Sequence, residues 1–434
     1  MIYKHSILRT KLIYSPEEKC LKQYIKPMPD EFLTSNHDDY YSFQISMANN
    51  EQGFDQIMIG EINKHYFNLD TGIVFRCNVV KMNHDRLDDH DTLIRDDVIV
   101  LNLHHSAFDG RSVEPFIKQL ELAYKSPESM ADQSDKSLRY IDYTINELRM
   151  LQDDSPDSEM NIAREFWKTI FNGYDINKPN KVLPYDYHET VEIVGRSGFG
   201  GTLCSSIEDE ELVCSMLTLV REHNVSMFQL FLTCYHLFIY KLTDDNDVLI
   251  DGITANRYRP EIEYAIGMFL SFFPYRLAID PNMSFIDLLS KVHGNCVNIL
   301  QHSKLPLPEI LNIQYSGNPR MDRTSSTVFF FETDTYKIDE VLLEDAVCKF
   351  LPAANRPAHI SKFDLLFSVK HDVSDTGQTQ RFFLLWNYST DLFTEKTISK
   401  MDKQFRHLLN ILFSKSSTFD INQQPLYELS LFSC

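Results

Sequence analysis

The sequence has no excess of basic residues, no closely spaced cysteine pair and no long uninterrupted apolar run. Its formal net charge of −20 would repel phosphate backbones and anionic membranes, so we expect neither nucleic acid nor membrane as a partner. None of the eight cysteines forms a Cys-x-x-Cys pair, which argues against a zinc site and is typical of free thiols in a reducing compartment. The most apolar segment, about 226–242, is interrupted by polar residues, and there is no N-terminal signal peptide. These absences predict a soluble cytoplasmic protein.

The 434 residues are 43% hydrophobic, enough to bury two medium-sized cores. Apolar periodicity predicts helices at about 112–124, 209–222 and 226–242, and Ser112 is the expected N-cap of the first. The last is expected to be central to a core because it is apolar nearly all round. Strands are predicted at 98–103, 248–250, 327–331, 363–369 and 382–386. Residues 173–187 lack periodicity and contain glycine and proline, which indicates a crossing linker between an N-terminal lobe at 1–172 and a C-terminal lobe at 188–423.

The stretch HHSAFDG at 104–110 directly follows the strand-like run at 98–103. A neutral imidazole at His105 can accept a proton from an attacking amine or hydroxyl near neutral pH. Asp109 can fix the loop by pairing with an arginine, and the Gly110 N–H can face the oxyanion of a tetrahedral intermediate. This grouping predicts acyl-transfer chemistry. Read alone, it fits equally well two histidines that end a buried strand and an Asp-Gly turn.

Six further strings occur in a recognisable order: HSILRT at 5–10, FNLDTG at 67–72, YIDY at 140–143, NRYRPE at 256–261, IGMFLSFFPYR at 266–276, and QH with LP at 301–306. Together with the HHxxxDG string they resemble the condensation domain of nonribosomal peptide synthetases, a member of the chloramphenicol-acetyltransferase-like superfamily. The resemblance extends along the whole chain. It implies an α/β fold with mixed sheets, in which two lobes form a V with a tunnel between them.

The resemblance also implies a reaction. Condensation domains join a donor acyl or peptidyl thioester to an acceptor aminoacyl thioester, and the product is an amide. Both substrates are carried on the 4′-phosphopantetheine arms of upstream and downstream carrier domains, and no metal or directly bound cofactor is needed. The arms meet at the second motif histidine, here His105, as a general base or an amine-positioning residue. The Gly110 N–H is the second expected catalytic group.

His104, Asp109 and Arg257 are expected to support this site. The resemblance implies that Arg257 forms a bidentate pair with Asp109 that couples the motif loop to the second lobe; the alternative for Arg257 is a solvated surface position. Strand alternation turns His104 away from His105, which predicts a structural hydrogen bond for His104. Arg9 and Arg276 also lie in motif-like strings, and for them we expect packing or tunnel-rim roles.

The sequence departs from the family pattern at both ends. A strand and a helix normally precede the HxxLRT string, and here they are expected to be missing because Met1 begins just before it. Residues 424–434 begin like the linker that leads into an adenylation domain, which is therefore a further expected neighbour. Ser271 and Phe272 stand where the family usually has Asn and Thr, close to the expected tunnel.

Two alternatives remain open from the sequence. One is another acyltransferase of the superfamily, ester-forming or CoA-dependent. We find neither the late DFGWG string of plant-type enzymes nor the EGHGR string of epimerising relatives, and both motif histidines are retained, unlike in heterocyclising relatives. The other alternative is an inactive, truncated domain that only binds carrier proteins. The intact His105, Asp109 and Gly110 favour an enzyme, and the absent first strand favours the inactive domain.

Overall fold

The structure is a computed structural model that describes residues 1–18, 20–28, 37–82, 92–126, 138–175, 183–187, 196–315, 325–333, 340–343, 346–349, 360–373 and 380–431. Its chain divides into two compact units. Unit 1 comprises Met1–Arg149, Arg257–Leu270 and Ile338–Phe350. Unit 2 comprises Met150–Asn256, Ser271–Lys337 and Leu351–Cys434.

The helices are α1 (Glu51–Asn63), α2 (Val113–Lys125), α3 (Tyr140–Leu151), α4 (Glu159–Phe171), α5 (Glu210–Glu222), α6 (Met227–Thr243), α7 (Pro260–Glu263), α8 (Phe285–Gln301), α9 (Leu307–Gln314) and α10 (Glu395–Phe413). The strands are β1 (Thr10–Ser15), β2 (Cys20–Ile25), β3 (Ser42–Ala48), β4 (Phe75–Met82), β5 (Val98–Leu103), β6 (Gly200–Ile207), β7 (Asp247–Thr254), β8 (Ser271–Ala278), β9 (Thr327–Thr333), β10 (Glu340–Leu343), β11 (Ala346–Lys349), β12 (Leu365–Val373) and β13 (Gln380–Ser389). The predicted α/β class with mixed sheets is confirmed.

The two units are interleaved along the chain, and each comprises three stretches of sequence. The segment 257–270 belongs to unit 1 because Ile266 is buried in its apolar core. The β10–β11 hairpin belongs there too, since Val341 and Leu343 are buried in the same core. Part of 173–187 lies outside the described residues, and the assignment of lobes to 1–172 and 188–423 stays a prediction.

Unit 1 contains a three-stranded sheet in the order β3-β4-β5, with β3 parallel and β5 antiparallel to β4. Helix α2 packs on it through Phe116 and Ile117. A separate β1–β2 hairpin precedes the sheet. The sheet positions the candidate site, because β5 ends directly before the two histidines.

A buried ion pair stabilises the same sheet. Arg76 Nη2 on β4 lies 2.7 Å from Glu61 Oε1 on α1, and both side chains are almost fully buried. Asn78 and Asn102 donate to the two oxygens of Glu61 at 2.8 and 2.7 Å. Burial alone would raise the pKa of Glu61, but these hydrogen bonds and the Arg76 charge hold it below its usual value.

Unit 2 is built on a six-stranded sheet in the order β6-β13-β12-β9-β7-β8. Strand β9 is parallel to both β12 and β7, and the other neighbours are antiparallel. Helix α6 begins with a capping box of Ser226 and Gln229, and its residues 230–240 are all buried. The prediction that this helix is central to a core is therefore confirmed.

Three further observations concern the described residues only. No single helix among them is long and apolar enough to span a bilayer. Helices α5 and α6 meet the length and apolarity requirements only when they are taken together, and they are bent by 108° relative to each other. Seven cysteines are free thiols there, and Cys434 lies outside the described part of the chain. That part also holds no group of three or more His, Cys, Asp or Glu side chains placed to bind a metal ion.

Candidate functional site

His105 lies in a tight turn at the end of β5. The His104 N–H still pairs with the Val74 carbonyl at 2.8 Å, and the Ala107 N–H then closes the turn on the His104 carbonyl at 3.0 Å. His105 is exposed within this turn. Its ring has no hydrogen-bond partner among the described residues, so it is available to an incoming group.

His104 is turned differently and is half-buried. Its Nδ1 lies 3.1 Å from the Ser106 backbone nitrogen and 2.8 Å from the Ser106 hydroxyl. Because the backbone N–H can only donate, Nδ1 is the acceptor. The ring also stands edge-on to Phe67, with centroids 5.4 Å apart. His104 thus makes a structural hydrogen bond within the turn, as predicted for this residue.

Asp109 is buried and is the anchor of the motif loop. Its Oδ1 accepts from the Ser112 N–H at 2.9 Å and from Arg257 Nη2 at 2.8 Å, and its Oδ2 accepts from the Phe269 N–H at 3.0 Å. This carboxylate caps the short 3-10 turn Gly110–Ser112 that leads into α2. Gly110 is exposed, and its N–H has no acceptor within the described part of the chain. Asp109 therefore fixes the backbone that presents this N–H.

The contact between Asp109 and Arg257 is present; the alternative position for Arg257 is excluded, and two expectations about the pair need correction. The Arg257 side chain is only 3% exposed, so it is not a solvated surface arginine. The pair is not bidentate, because Arg257 Nη1 is occupied by the carbonyls of Ile262 and Ala265 at 2.6 and 2.7 Å. Both partners also belong to unit 1, so the pair ties the loop to segment 257–270 of the same unit.

Ser112 is a site residue that sequence reasoning assigned to another role. It directly precedes α2, as predicted, but its side chain does not cap that helix. Its hydroxyl lies 2.8 Å from Asp109 Oδ1, 3.1 Å from Arg257 Nη2, and 3.0 and 3.1 Å from the carbonyl and nitrogen of Gly267. The three-residue spacing of Asp109 and Ser112 is typical of side chains that share a turn, and this signal could have revealed the pair.

The YIDY string packs against the same segment. The Tyr140 hydroxyl donates to the Met268 carbonyl at 3.0 Å, and burial raises the pKa of Tyr140 to about 12. The rings of Tyr140 and Tyr143 stand edge-on to Phe269, with centroids 5.1 and 5.0 Å away. The guanidinium carbon of Arg257 lies 4.3 Å from the centroid of the same ring. Phe269 thus joins the aromatic cluster to the Asp109 network.

The remaining motif residues lie outside this network. Arg9 donates to the Lys26 carbonyl, next to the hairpin of unit 1. Arg276 pairs with both oxygens of Asp247 at 2.8 Å within unit 2. His302 stacks on an aromatic ring of α4, with centroids 4.1 Å apart. These contacts give all three residues packing functions in their own units.

With the geometry established, comparison with known proteins identifies the class. The profile of the Condensation domain family matches residues 1–430. The chain therefore belongs to the condensation domain family, as the resemblance of its motifs predicted.

The curated relatives are distant and much longer. Gramicidin S synthase 2 from Brevibacillus brevis is 23% identical over 381 residues, which is 86% of this chain and 8% of that protein. Surfactin synthase subunit 2 from Bacillus subtilis (strain 168) is 23% identical over 418 residues, which is 95% of this chain and 10% of that protein. The chain thus spans a tenth or less of the length of either relative.

Solved structures show the same fold. The X-domain from teicoplanin biosynthesis, also solved in complex with OxyB, superposes with a TM-score of 0.79 at 18% identity, covering 99% of this chain and 87% of that one. The first condensation domain of the CDA synthetase superposes with a TM-score of 0.63 at 13% identity, covering 100% and 88%. At these identities the likeness concerns the fold alone.

Proposed function

We propose that this domain forms an amide bond between a donor acyl or peptidyl thioester and an acceptor aminoacyl thioester, both presented on the 4′-phosphopantetheine arms of carrier proteins. One observation carries the proposal. An exposed histidine with no hydrogen-bond partner among the described residues, His105, lies in a loop whose other end is anchored by the buried Asp109. A rigid loop that leaves one imidazole available is what proton handling at a tethered substrate requires.

The proposed reaction forms one bond and breaks another. The acceptor amine attacks the thioester carbonyl, the C–N bond forms, and the C–S bond breaks to release the donor arm as a thiol. His105 takes the amine proton, or orients the amine, and the proton ends on the departing sulfur. The Gly110 N–H faces the oxyanion of the tetrahedral intermediate. Because a thioester is already activated, alignment of the two tethered substrates can contribute on the order of 7–11 kcal/mol to lowering the barrier.

The test is mass-spectrometric detection of the dipeptidyl-pantetheine product after the purified domain is mixed with two loaded carrier proteins. We expect product from the natural sequence and a loss of about 10²-fold or more in rate for His105→Ala. The matched control is His223→Ala, which removes an exposed histidine at the end of α5. Absence of product from a domain that is folded by circular dichroism would refute the proposal.

One further variant, His105→Gln, tests whether His105 takes up the amine proton. In His105→Gln the side chain can still accept and donate hydrogen bonds, but it cannot take up a proton at neutral pH. If His105 is a base, His105→Gln loses as much rate as His105→Ala. If His105 positions the amine, the glutamine variant retains most of the activity.

A second candidate function is partner binding without catalysis. It is favoured by the fold similarity to the X-domain that was solved in complex with OxyB. Native mass spectrometry of the same mixtures separates the two functions, because binding of loaded carrier proteins without product supports the second. Ester-forming or CoA-dependent transfer is tested in parallel with a hydroxyl acceptor and an acyl-CoA donor.

A further inference from the structure

A small cavity of about 110 Å³ lies beside the motif loop, between that loop and the β1–β2 hairpin. The hairpin contributes Thr10 and Leu12 from β1, and Leu21 and Gln23 from β2. These are alternate positions on each strand, and Leu12 is directly opposite Gln23 in the register. Alternate residues of a strand face the same side, so one whole face of the hairpin forms a wall of the cavity.

The opposite wall is the loop itself. Ser106 and Ala107, the two residues that follow His105, line the cavity. Ala107 is fully buried, and its N–H is held by the His104 carbonyl at 3.0 Å. Because consecutive Cα atoms are about 3.8 Å apart, this wall begins one residue from the proposed reaction centre. A group bound in the cavity would therefore lie beside the backbone that carries His105.

The lining indicates what such a group must be. Among the described residues it includes no charged side chain, and its apolar part comes from Ile7, Leu12, Leu21 and Ala107. A charged group would lose its hydration there without gaining a counter-charge, which disfavours it. The volume is smaller than the roughly 150 Å³ of a cavity that admits benzene, so an aromatic ring is too large.

The polar groups of the cavity are mostly engaged already. The Thr10 hydroxyl donates to the Ser6 carbonyl at 2.8 Å, and the Ser106 hydroxyl lies 2.8 Å from His104 Nδ1. The side-chain amide of Gln23 has no partner among the described residues. The cavity therefore offers an aliphatic surface with a single adaptable hydrogen-bonding group at one side.

We propose that this cavity is a specificity subsite for a short, uncharged aliphatic side chain on one of the two aminoacyl or acyl thioester substrates. The inference rests on the proposed function and extends it to a substrate class. It assigns the β1–β2 hairpin, and Leu21 in particular, a role in substrate selection. Leu21 is 59% exposed, so it can be replaced with little effect on folding.

The test compares Leu21→Trp, which fills the cavity, with Lys22→Trp, which places the same side chain on the other face of the hairpin. Lys22 pairs with the exposed Glu18 at the strand end, and such pairs contribute little to stability. Donor and acceptor are varied separately with leucyl, phenylalanyl and lysyl groups. We expect the natural sequence to prefer leucyl at one of the two positions, and Leu21→Trp to reduce kcat/KM for that substrate about tenfold or more. Lys22→Trp should leave it unchanged.

Binding provides a readout that does not depend on turnover. Leucyl-pantetheine amide is titrated by calorimetry into the natural sequence and both variants. Weaker binding to Leu21→Trp alone supports the subsite even if no product forms, in which case only the proposed function fails. Equal binding or equal selectivity in all three proteins overturns the subsite, whether or not product is made.

Discussion

The ring of Tyr140 occupies the space that a side chain at Gly267 would need. A methyl group at position 267 would lie 2.2 Å from Cδ2 of Tyr140, well inside van der Waals contact. Tyr140 has little room to withdraw, because its hydroxyl is bonded to the Met268 carbonyl and its ring packs on Phe269. Both backbone polar groups of Gly267 also bond to the Ser112 hydroxyl. Gly267 is therefore required for α3 and segment 257–270 to pack together.

Gly267→Ala should destabilise the protein by about 1–3 kcal/mol, because overpacking forces Tyr140 or the backbone to move. The measurement is the free energy of unfolding in urea. The matched control is Gly60→Ala in α1, where a methyl group meets no atom of the described residues within 4 Å. That change should be neutral or stabilise by up to about 1 kcal/mol, since alanine favours helix over glycine. Equal stability of the two variants would contradict the packing argument.

Arg257→Ala should loosen the motif loop. It leaves Asp109 buried without its cation, and loss of one partner of a buried pair costs about 3–5 kcal/mol. We expect faster backbone hydrogen exchange at 109–113 and 266–270, measured by mass spectrometry. Arg276→Ala, which breaks the Asp247 pair in unit 2, is the control and should leave these two segments protected.

The double variant Asp109→Asn with Arg257→Ala checks that the effect of Arg257 acts through Asp109. The double variant removes the buried negative charge together with its cation. It should lower the free energy of unfolding by less than the sum of the two single changes, because the effects of mutating residues in contact are not additive. Strict additivity of the unfolding free energies would show that the two side chains are not coupled.

Glu147→Gln should stabilise the protein at neutral pH. Burial raises the pKa of Glu147, although a hydrogen bond from the Tyr143 hydroxyl at 2.9 Å opposes the shift. A carboxyl whose pKa is raised by folding favours the folded state below its ordinary pKa, and this contribution is lost as pH rises through the folded pKa. Glutamine keeps the acceptor oxygen without the charge.

Thermal unfolding from pH 4 to 8 measures this effect. The Tm of Glu147→Gln should exceed that of the natural sequence at pH 7–8, and the difference should shrink toward pH 4. Glu222→Gln, at the exposed end of α5, is the control and should show no such trend. A Tm difference that is independent of pH would contradict the assignment of the effect to Glu147 ionisation.

Much of the fold class and part of the site could be predicted from local sequence patterns. The apolar run at 98–103 is β5, the all-round apolar segment is α6, and the motif order indicated the family. The contact of Asp109 with Arg257 was also predicted, because the resemblance identified which arginine to consider. The geometry of this contact was not predicted, because the carbonyls that occupy Arg257 Nη1 come from the turn at 262–265.

The rest depends on contacts between residues far apart in the chain. Ser112 and Gly267 are 155 positions apart, and neither residue type indicates that the other is its partner. The β10–β11 hairpin carries an ordinary strand pattern. Its place in unit 1 follows from the burial of Val341 and Leu343 in that core and from the bond of the Leu342 N–H to Glu121 on α2 at 2.8 Å. Periodicity reports which side of an element is buried, but not which distant segment covers it.

The interleaving of the two units affects how the chain can be divided for expression. A fragment that ends near residue 172 contains Asp109 and Ser112 but lacks Arg257 and Gly267, the partners that bond to them. It also lacks the hairpin whose Val341 and Leu343 are buried in the core of unit 1. On the ribosome, Arg257 and Gly267 emerge only after residues 150–256, the first of the three stretches of unit 2, have been made. Unit 1 therefore cannot complete its packing before that part of unit 2 has been synthesised.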